Sequence, residues 1–401
     1  MPMTLNLADP DLYATTGGLD ELRHLQVNEP VYWNALAADD GFWALTRYTD
    51  AVTVYRNPRA FTSERGIQVG QSVAAARPAA GKMLVLSDRG AHRRIKAILS
   101  RYLAPGALAR HLPELRAAAS RTVERVATGE PFDFVTEAAG HLTLTLLGSL
   151  LGIPATDRDR VGRWTGTAFG STTGPSDDRV TDADSAAANA QLFVYFGDLL
   201  ALRRRETADD LLSALAVSGA SDGQQLTDEE ILFNVHLLLA GGHETTRQAL
   251  TGIAAAFIDH PDEWVRLRAR PELLPTTVEE ILRWAAPSLN VMRTATQDIE
   301  IGGTLVRAGQ RVTMWHPIVN RDEAFFRNAF RFDIARAPNR HLSFGMGGHF
   351  CLGAWLAREE VQVLIEALAA RVRRIDPAGA PRRSRSTRTW GYDYLPVRLA
   401  V

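Results

Sequence analysis

The residues best suited to chemistry lie in one short run near the C-terminal end of the chain. Residues 344–353 read FGMGGHFCLG, and Cys351 is the only cysteine in the 401-residue sequence. The glycines before it allow backbone angles and close approaches that a side chain would prevent. Leu352 to Val372 has helical periodicity, so the thiol is predicted to lie at a helix N-terminus, where unpaired N–H groups favour the thiolate. The run indicates a thiolate able to bind a metal; the alternative is a glycine-rich turn with a buried structural cysteine.

A second run of chemical interest lies in the middle of a long predicted helix. Residues 240–246 read AGGHETT. Two glycines inside a helix each cost about 1 kcal/mol relative to alanine, so their presence needs a reason. One reason is a local widening that lets dioxygen and water lie beside the helix, and the other is a packing contact. In the first case Glu244 and Thr245 form a carboxylate–hydroxyl pair able to move protons.

Two more charged residues, Glu280 and Arg283, are three positions apart and share one face of a predicted helix. Such a pair is common on helix surfaces, where it contributes little. By itself it indicates no function.

Capping and stop signals delimit several of the elements that must position these residues. Thr227–Glu230 is a capping box that predicts a helix running to Asp259, and Thr276–Glu279 predicts a second box at the start of the Glu280 helix. Ser171 to Asp184 is small and polar, which is typical of a surface loop. Further helices are predicted at 91–102, 107–128 and 137–151, and strands at 299–301, 305–306 and 311–314.

Composition excludes several classes of protein. The formal net charge is −1 and the apolar fraction is 46%, values typical of a globular protein with no general attraction to nucleic acid or anionic membranes. A single cysteine excludes an internal disulfide framework and a multi-cysteine metal site. The first ten residues lack the regions of a signal peptide, and no apolar stretch is predicted to span a membrane. We expect a cytoplasmic protein whose residues 1–401 form a single, mainly helical domain with a minor β part.

Together these motifs resemble those of the cytochrome P-450 family, and the resemblance covers essentially the whole chain. The run 344–353 resembles the family's haem loop, and the run 240–246 resembles its oxygen-activating helix. The resemblance implies the family's mainly α fold with small β-sheets. It also implies haem b as cofactor, with Cys351 as the thiolate ligand of the iron and Phe344, Gly345 and Gly353 in the surrounding loop.

The resemblance also assigns supporting residues. His92, Arg293 and His341 would bind the haem propionates. Many relatives carry an arginine four positions after the first histidine, whereas this chain has Lys96, a point charge without the bidentate fork. The segment 332–341 is similar to the family's meander, in which Arg336 would join Glu280 and Arg283 in a structural triad that fixes the proximal loop.

The implied reaction is a monooxygenation, the insertion of one atom of dioxygen into an organic substrate by hydroxylation or epoxidation. Glu244 would feed protons inward, and Thr245 would hydrogen-bond the bound dioxygen. The same residues permit oxidative coupling or ring closure, and a haem-based gas sensor is a third possibility. The sequence has no flavin or nicotinamide fingerprint, so the resemblance implies a ferredoxin and its reductase as electron donors. They would dock on arginines at positions 93, 94, 101, 340 and 358, unless these only form a solvated face.

A final expectation concerns the substrate. Pro287–Arg293 resembles the stretch that crosses the pocket in relatives, and Ser288 and Asn290 should share one face of it. If that face lines the pocket, the substrate must supply hydrogen-bonding partners. This predicts an amphipathic substrate, small or carrier-bound, of the kind made in secondary metabolism; the alternative is a purely apolar pocket. The other predicted pocket residues are Gly241, Val291, Trp390 and Tyr392.

Overall fold

The structure, a computed structural model, describes residues 5–15, 17–37, 40–170, 180–217 and 225–401. Helices dominate it and the sheets are small, which confirms the expected fold class. The helices are α1 Gly17–Asn28, α2 Tyr48–Tyr55, α3 Val73–Ala76, α4 Arg89–Leu103, α5 Pro105–Leu108, α6 Leu112–Val126, α7 His141–Leu151, α8 Arg158–Ala168, α9 Asp182–Arg205, α10 Leu211–Val217, α11 Asp228–Asp259, α12 Pro261–Ala269, α13 Leu274–Ala285, α14 His316–Val319 and α15 Ala354–Arg371.

The strands form four small sheets. One has five strands in the order β1-β2-β8-β5-β3, and another has three in the order β4-β12-β9. Two hairpins, β6–β7 and β10–β11, complete them. The strands are β1 Val31–Ala35, β2 Gly41–Leu45, β3 Phe61–Thr62, β4 Phe132–Asp133, β5 Asn290–Ala295, β6 Ile299–Ile301, β7 Thr304–Val306, β8 Arg311–Trp315, β9 Arg374–Pro377, β10 Arg382–Arg383, β11 Tyr392–Tyr394 and β12 Pro396–Ala400.

Helix α11 is the central element, and its predicted boundaries are confirmed. The Thr227 side chain accepts from the Glu230 N–H, and the Glu230 side chain accepts from the Thr227 N–H. This reciprocal pair satisfies two donors that a helix start leaves free. The helix ends at Asp259, before Pro261. It packs against α7, α13 and α15, so its middle is surrounded by other elements.

Two predicted details are wrong. The box at the start of the Glu280 helix does not form, because α13 already begins at Leu274 and the Thr276 and Thr277 hydroxyls donate to the Leu273 carbonyl. The helix predicted at 107–128 is divided into α5, a short turn and α6. Pro113 lies in the first turn of α6, where its missing N–H costs nothing.

The predicted loop from Ser171 to Asp184 lies mostly outside the described residues. Its last part is helical instead, since α9 begins at Asp182 behind a capping box formed by Thr181 and Asp184. Phe134–Leu151 has the length and apolarity of a membrane-spanning helix, but 67% of it is buried inside the fold. That is how a core helix behaves.

Candidate functional site

The cysteine run folds into a tight loop between α2 and α15. The Cys351 N–H donates to the Phe344 carbonyl at 3.0 Å and closes the loop. Gly345 and Gly347 have φ angles of 63° and 72°, which side chains disfavour. A Cβ on Gly347 would lie 2.7 Å from the Tyr55 carbonyl oxygen. The loop therefore depends on glycine both for its backbone angles and for its packing.

The Cys351 thiol is not activated by the helix alone. Helix α15 begins at Ala354 with Gly353 as its N-cap, so the cysteine precedes the helix by two residues. Cys351 is exposed on the face of the loop. Desolvation by the surrounding protein raises the pKa of its thiol, and the Gly353 N–H, Arg358 and Lys96 offset this only in part. The predicted preference for the thiolate stays a prediction for the metal-bound state, in which the bound cation would itself favour the thiolate.

One face of α11 is only partly buried and carries the predicted oxygen-activating residues. Phe233, Leu237, Gly241 and Thr245 follow one another at intervals of four positions and are all partly accessible. A Cβ on Gly241 would have no neighbour nearer than 4.0 Å. The Thr245 hydroxyl donates to the Gly241 carbonyl at 2.5 Å. We call these four residues the α11 stripe; it is an apolar path that ends at a hydroxyl.

The two adjacent glycines in the middle of α11, Gly241 and Gly242, have different explanations. The helix is continuous from Asp228 to Asp259, so the structure does not show the predicted widening. Gly242 packs on α7, because a Cβ there would come within 3.1 Å of Leu147. Gly241 faces open space instead. The packing explanation thus applies to one glycine, and room beside the helix applies to the other.

Glu244 is a buried carboxylate held by a neighbouring cation. It is 1% exposed, and its Oε2 lies 2.7 Å from Arg247 Nη2. Burial raises the pKa of Glu244, but Arg247 and His243 outweigh it and bring the value below its usual range. His243 itself bonds Thr143 at 2.7 Å, and burial lowers its pKa to about 4. At neutral pH Glu244 is therefore an ionised carboxylate and His243 is a neutral imidazole.

Buried donors without an anionic partner gather near the loop. His92 is 7% exposed, and its Nε2 has no hydrogen-bond partner within the described ranges. Arg293 donates to the Met292 carbonyl at 2.7 Å, and burial lowers its pKa. No carboxylate forms an ion pair with Arg293 in the described part of the chain. A buried cation without a counter-ion is costly, so these groups suit an acidic ligand.

The two remaining predicted propionate ligands differ from each other. Lys96 donates to the carbonyls of Gly348 and Phe350, at 2.5 and 3.4 Å. His341 Nε2 lies 3.3 Å from the Glu279 carboxylate but makes no hydrogen bond within the described ranges. Both lie beside the cysteine loop, and their propionate contacts stay predictions.

Sequence reasoning missed two neighbours of these groups, Asp88 and His349. The His349 ring packs on His92 with centroids 4.1 Å apart, and its Nε2 lies 3.6 Å from Asp88. Burial raises the pKa of Asp88, but hydrogen bonds from His349, Thr62 and Ser63 bring it below its ordinary value. Asp88 precedes α4 directly, and an acid at a helix start was the one signal that could have indicated it.

Glu280, Arg283 and Arg336 are brought together in the core. The Glu280 and Arg283 side chains are fully buried, with two N–H···O contacts of 2.8 Å. Arg336 Nε lies 3.1 Å from Glu280. The two Nη atoms of Arg336 donate to carbonyls of the 327–331 segment. Arg283 in turn donates to the carbonyls of Asn320 and Ala329. The triad therefore ties α13 to the segment before the cysteine loop.

The prediction that Ser288 and Asn290 offer unpaired polar groups to a substrate is not met by the structure. Asn290 is fully buried, and both ends of its amide are already used: the oxygen accepts from the Val69 N–H and the nitrogen donates to the Thr387 carbonyl. The Ser288 hydroxyl donates to the Asn290 carbonyl at 3.3 Å. The expectation that these groups await a substrate is wrong, because backbone groups satisfy them.

The other predicted pocket residues have different surroundings. Trp390 is 7% exposed and packs edge-on against Tyr13, 6.3 Å away, and its predicted substrate contact stays a prediction. Tyr392 is partly accessible, and its hydroxyl accepts from Arg383 at 3.2 Å. Val291 is partly accessible in β5. The roles of Tyr392 and Val291 stay predictions.

Comparison with known proteins decides the family. The cytochrome P-450 family model matches residues 264–373. A putative cytochrome P-450 126 of Mycobacterium tuberculosis is 38% identical over 92% of this chain and 91% of its own length. The chain belongs to the cytochrome P-450 family. A methyl-branched lipid omega-hydroxylase of Mycobacterium bovis is also 38% identical, over 90% of this chain and 84% of its own. The crystal structure of P-450 OxyD, involved in the biosynthesis of vancomycin-type antibiotics, matches with a TM-score of 0.89 and 33% identity over 99% of this chain and 100% of its own.

The residues described above fit the haem-thiolate cofactor that a P-450 implies. Cys351 is the one thiol available as a ligand, and the glycine loop around it leaves room for a flat group. The partnerless His92 Nε2 and the uncompensated Arg293 guanidinium match the propionates of such a group. In this P-450 the two halves of the site are thus the cysteine loop and the α11 stripe.

Two of the five arginines predicted to dock an electron donor are already paired with acids of this chain. Arg94 pairs with Glu230 and donates to the Gln225 carbonyl. Arg358 binds both carboxylate oxygens of Glu279. Arginines 93, 101 and 340 are exposed, and the docking role of the patch stays a prediction.

Proposed function

We propose that this P-450 monooxygenase hydroxylates or epoxidises an organic substrate whose reacting part is apolar and lies along the α11 stripe. The observation that carries the proposal is the hydroxyl of Thr245 at the end of that stripe, directly beside the buried Glu244. A gas sensor needs no such carboxylate–hydroxyl pair, because binding alone requires no proton delivery.

The haem b group, when bound, would supply the redox chemistry that activates dioxygen, and Cys351 would be its proximal ligand. His92 and Arg293 would hold its propionates. On the other side, the apolar stripe from Phe233 to Gly241 would exclude water and orient the substrate. Thr245 would present its hydroxyl proton to the oxygen side, and Glu244 would replace that proton from the protein interior.

Electrons would come from a ferredoxin and its reductase, docked on the exposed arginines 93, 101 and 340. The charge attraction would speed encounter more than it would tighten binding. Two relatives point to different substrates: one name specifies a methyl-branched lipid, and the other an antibiotic pathway. The apolar stripe favours a lipid-like or other apolar reacting segment, free or carrier-bound, and secondary metabolism in the cytoplasm is one context for it.

The ligand assignment is tested with Cys351→His. The reduced, carbon monoxide-bound wild type should show the red-shifted Soret band of thiolate ligation, and the variant should lose it. Retention of the band in the variant would refute Cys351 as ligand.

The proton path is tested with Thr245→Ala. Consumption of reductant should continue in the variant, while much of it is diverted from product to hydrogen peroxide. Thr53→Ala is a matched control, since its exposed hydroxyl also donates to a carbonyl four residues back. Wild-type coupling in Thr245→Ala would exclude Thr245 from the path.

A further inference from the structure

A buried set of charges extends from Glu244 to the C-terminal strands. Arg247 Nη2 lies 2.7 Å from Glu244 and 3.9 Å from Asp393 Oδ1, so one nitrogen faces two carboxylates. All three side chains are at most 3% exposed. Arg382 lies 3.6 Å from the other Asp393 oxygen and is 17% exposed. The set therefore joins the middle of α11 to an arginine near the surface.

The two carboxylates and two guanidinium groups of this set sum to zero charge only while Glu244 is ionised. A buried guanidinium whose carboxylate is neutralised becomes an uncompensated charge, which costs several kcal/mol in a protein interior. Protonation of Glu244 would create that situation. A second carboxylate within reach of the same nitrogen removes the difficulty, because the guanidinium can transfer its ion pair to it.

Asp393 is suited to this second position and Asp133 is not. Asp133 also lies near enough to act on Arg247. However, its oxygens already accept from the N–H groups of Val135 and Leu395 and from the Thr136 hydroxyl. Asp393 accepts from the Ser384 hydroxyl at 2.7 Å and faces Arg247 directly.

We propose that Asp393 is a positioning residue for proton delivery, which takes over the Arg247 guanidinium whenever Glu244 accepts a proton. In the resting arrangement Arg247 pairs with ionised Glu244. When a proton from the solvent side reaches Glu244, Arg247 shifts to Asp393, and the neutral carboxylic acid can pass the proton toward Thr245. Loss of that proton returns Arg247 to Glu244, so no charge is left alone in either state.

The inference rests on the proposed function, in which Glu244 supplies protons, and it names the residues that control this supply. His243 also faces Glu244, at 3.6 Å, but burial lowers its pKa to about 4. His243 is therefore neutral near pH 7, so it adds no charge to the set in which Arg247 moves between Glu244 and Asp393. Asp393 belongs to β11, far from α11 in the sequence, which is why no local motif contains it.

The first test measures the protonation of Glu244 by infrared spectroscopy on the haem-loaded protein. The Glu244 signal is isolated by subtracting the spectrum of the same protein with Glu244→Gln. In Arg247→Gln the carboxyl should titrate well above its ordinary range, since its cation is gone and Asp393 remains. Adding Asp393→Asn to that variant should shift the midpoint much less than the same substitution does when Arg247 is present, where the midpoint should fall by about one pH unit, a tenfold change in the protonated fraction. The reason is that the guanidinium which Asp393 takes over is absent from Arg247→Gln. An equal shift with and without Arg247 would overturn the inference.

The second test uses Asp393→Asn alone, which keeps the size of the side chain and the oxygen that accepts from Ser384. Protonated Glu244 should become rarer by about tenfold, so product formed per reductant should fall and the solvent isotope effect should rise. If the substitutions only disrupted the fold, the titration midpoint of Glu244 would move toward its ordinary range in both variants. In the proposed mechanism the midpoint instead rises in Arg247→Gln and falls in Asp393→Asn.

Asp376→Asn is the matched control, because it removes an acid from another C-terminal strand, β9, and the partner of that acid is Arg374 and not Arg247. It should leave coupling and isotope effect unchanged. If Asp393→Asn behaves like this control, Asp393 is not a positioning residue. If Glu244→Gln itself leaves coupling unchanged, the proposed role of Glu244 fails, whatever the infrared titration shows.

Discussion

Substitution of Glu280 by glutamine is the sharpest test of how the proximal side of the site is held. The Glu280 oxygens accept from Arg283 and Arg336, from the Asp333 N–H at 2.9 Å and from the Asn339 side chain at 3.0 Å. Every neighbour is a donor, and the carboxylate is fully buried. Glutamine would bring an NH₂ group against donors and leave two guanidinium charges without their counter-ion.

The magnitude follows from this geometry. Removing one partner of a buried ion pair costs about 3–5 kcal/mol in the free energy of unfolding. A typical domain has about 5–15 kcal/mol in all, so the variant should lose about a fifth or more of its stability. Because the arginines also hold the segment before the cysteine loop, haem should dissociate faster as well.

The assay is urea unfolding of the haem-loaded protein, followed by tryptophan fluorescence, with haem retention measured in parallel. Glu272→Gln is the matched control: it removes a carboxylate paired with Arg270 at 2.9 Å, but both side chains are more than half exposed. Such a pair contributes about 0–1 kcal/mol. A loss in Glu280→Gln as small as in the control would refute the argument that the buried triad supports the loop.

Four further outcomes are expected. Burial raises the pKa of Glu279, but its histidine and arginine partners hold it at about 2, so its contribution to stability should disappear as pH falls from about 5 to 2; Glu279→Gln should flatten that part of the pH–stability curve, and an equal slope would contradict this. Gly347→Ala should reduce haem retention, because the added Cβ meets a backbone carbonyl at 2.7 Å; equal retention in a haem-transfer assay would oppose it. Asn290→Leu should destabilise the fold by about 1–3 kcal/mol for each of its two backbone partners left unpaired, without tighter substrate binding; an unchanged urea midpoint would contradict it. Lys96→Ala should hold haem less tightly than wild type and Lys96→Arg at least as tightly, and equal haem loss in all three would remove Lys96 from the site.

Much of the central helix could be predicted because its signals are local. The Thr227–Glu230 box and the stop at His260 determine α11 from neighbouring residues alone, and the structure follows them. The predicted Thr276–Glu279 box does not form, because an earlier turn that begins with a proline has already started α13. Local capping chemistry identifies a possible helix start, but it does not say which of two starts is used.

Contacts between distant residues could not be predicted in the same way. The Asn290 side chain was expected to face a substrate because its partners, Val69 and Thr387, lie far away in the sequence. The relation of Arg247 to Asp393 is hidden for the same reason. Only the family resemblance brought Arg336 into the triad, since nothing near it in the sequence indicates Glu280.

The segment 287–292 has a consequence for how substrate preference can change. It is joined to the C-terminal hairpin by the Leu289 and Trp390 N–H groups and to the 67–69 segment through Met292 and Asn290. One short strand thus fastens two distant segments of the chain, 67–69 and 388–390, to each other. Directed evolution that varies Asn290 would lose folded protein before it gained new selectivity. Libraries that keep these hydrogen bonds and vary the α11 stripe at Phe233 and Leu237 would change the shape of the proposed substrate path. They would not remove the contacts that hold the three segments together.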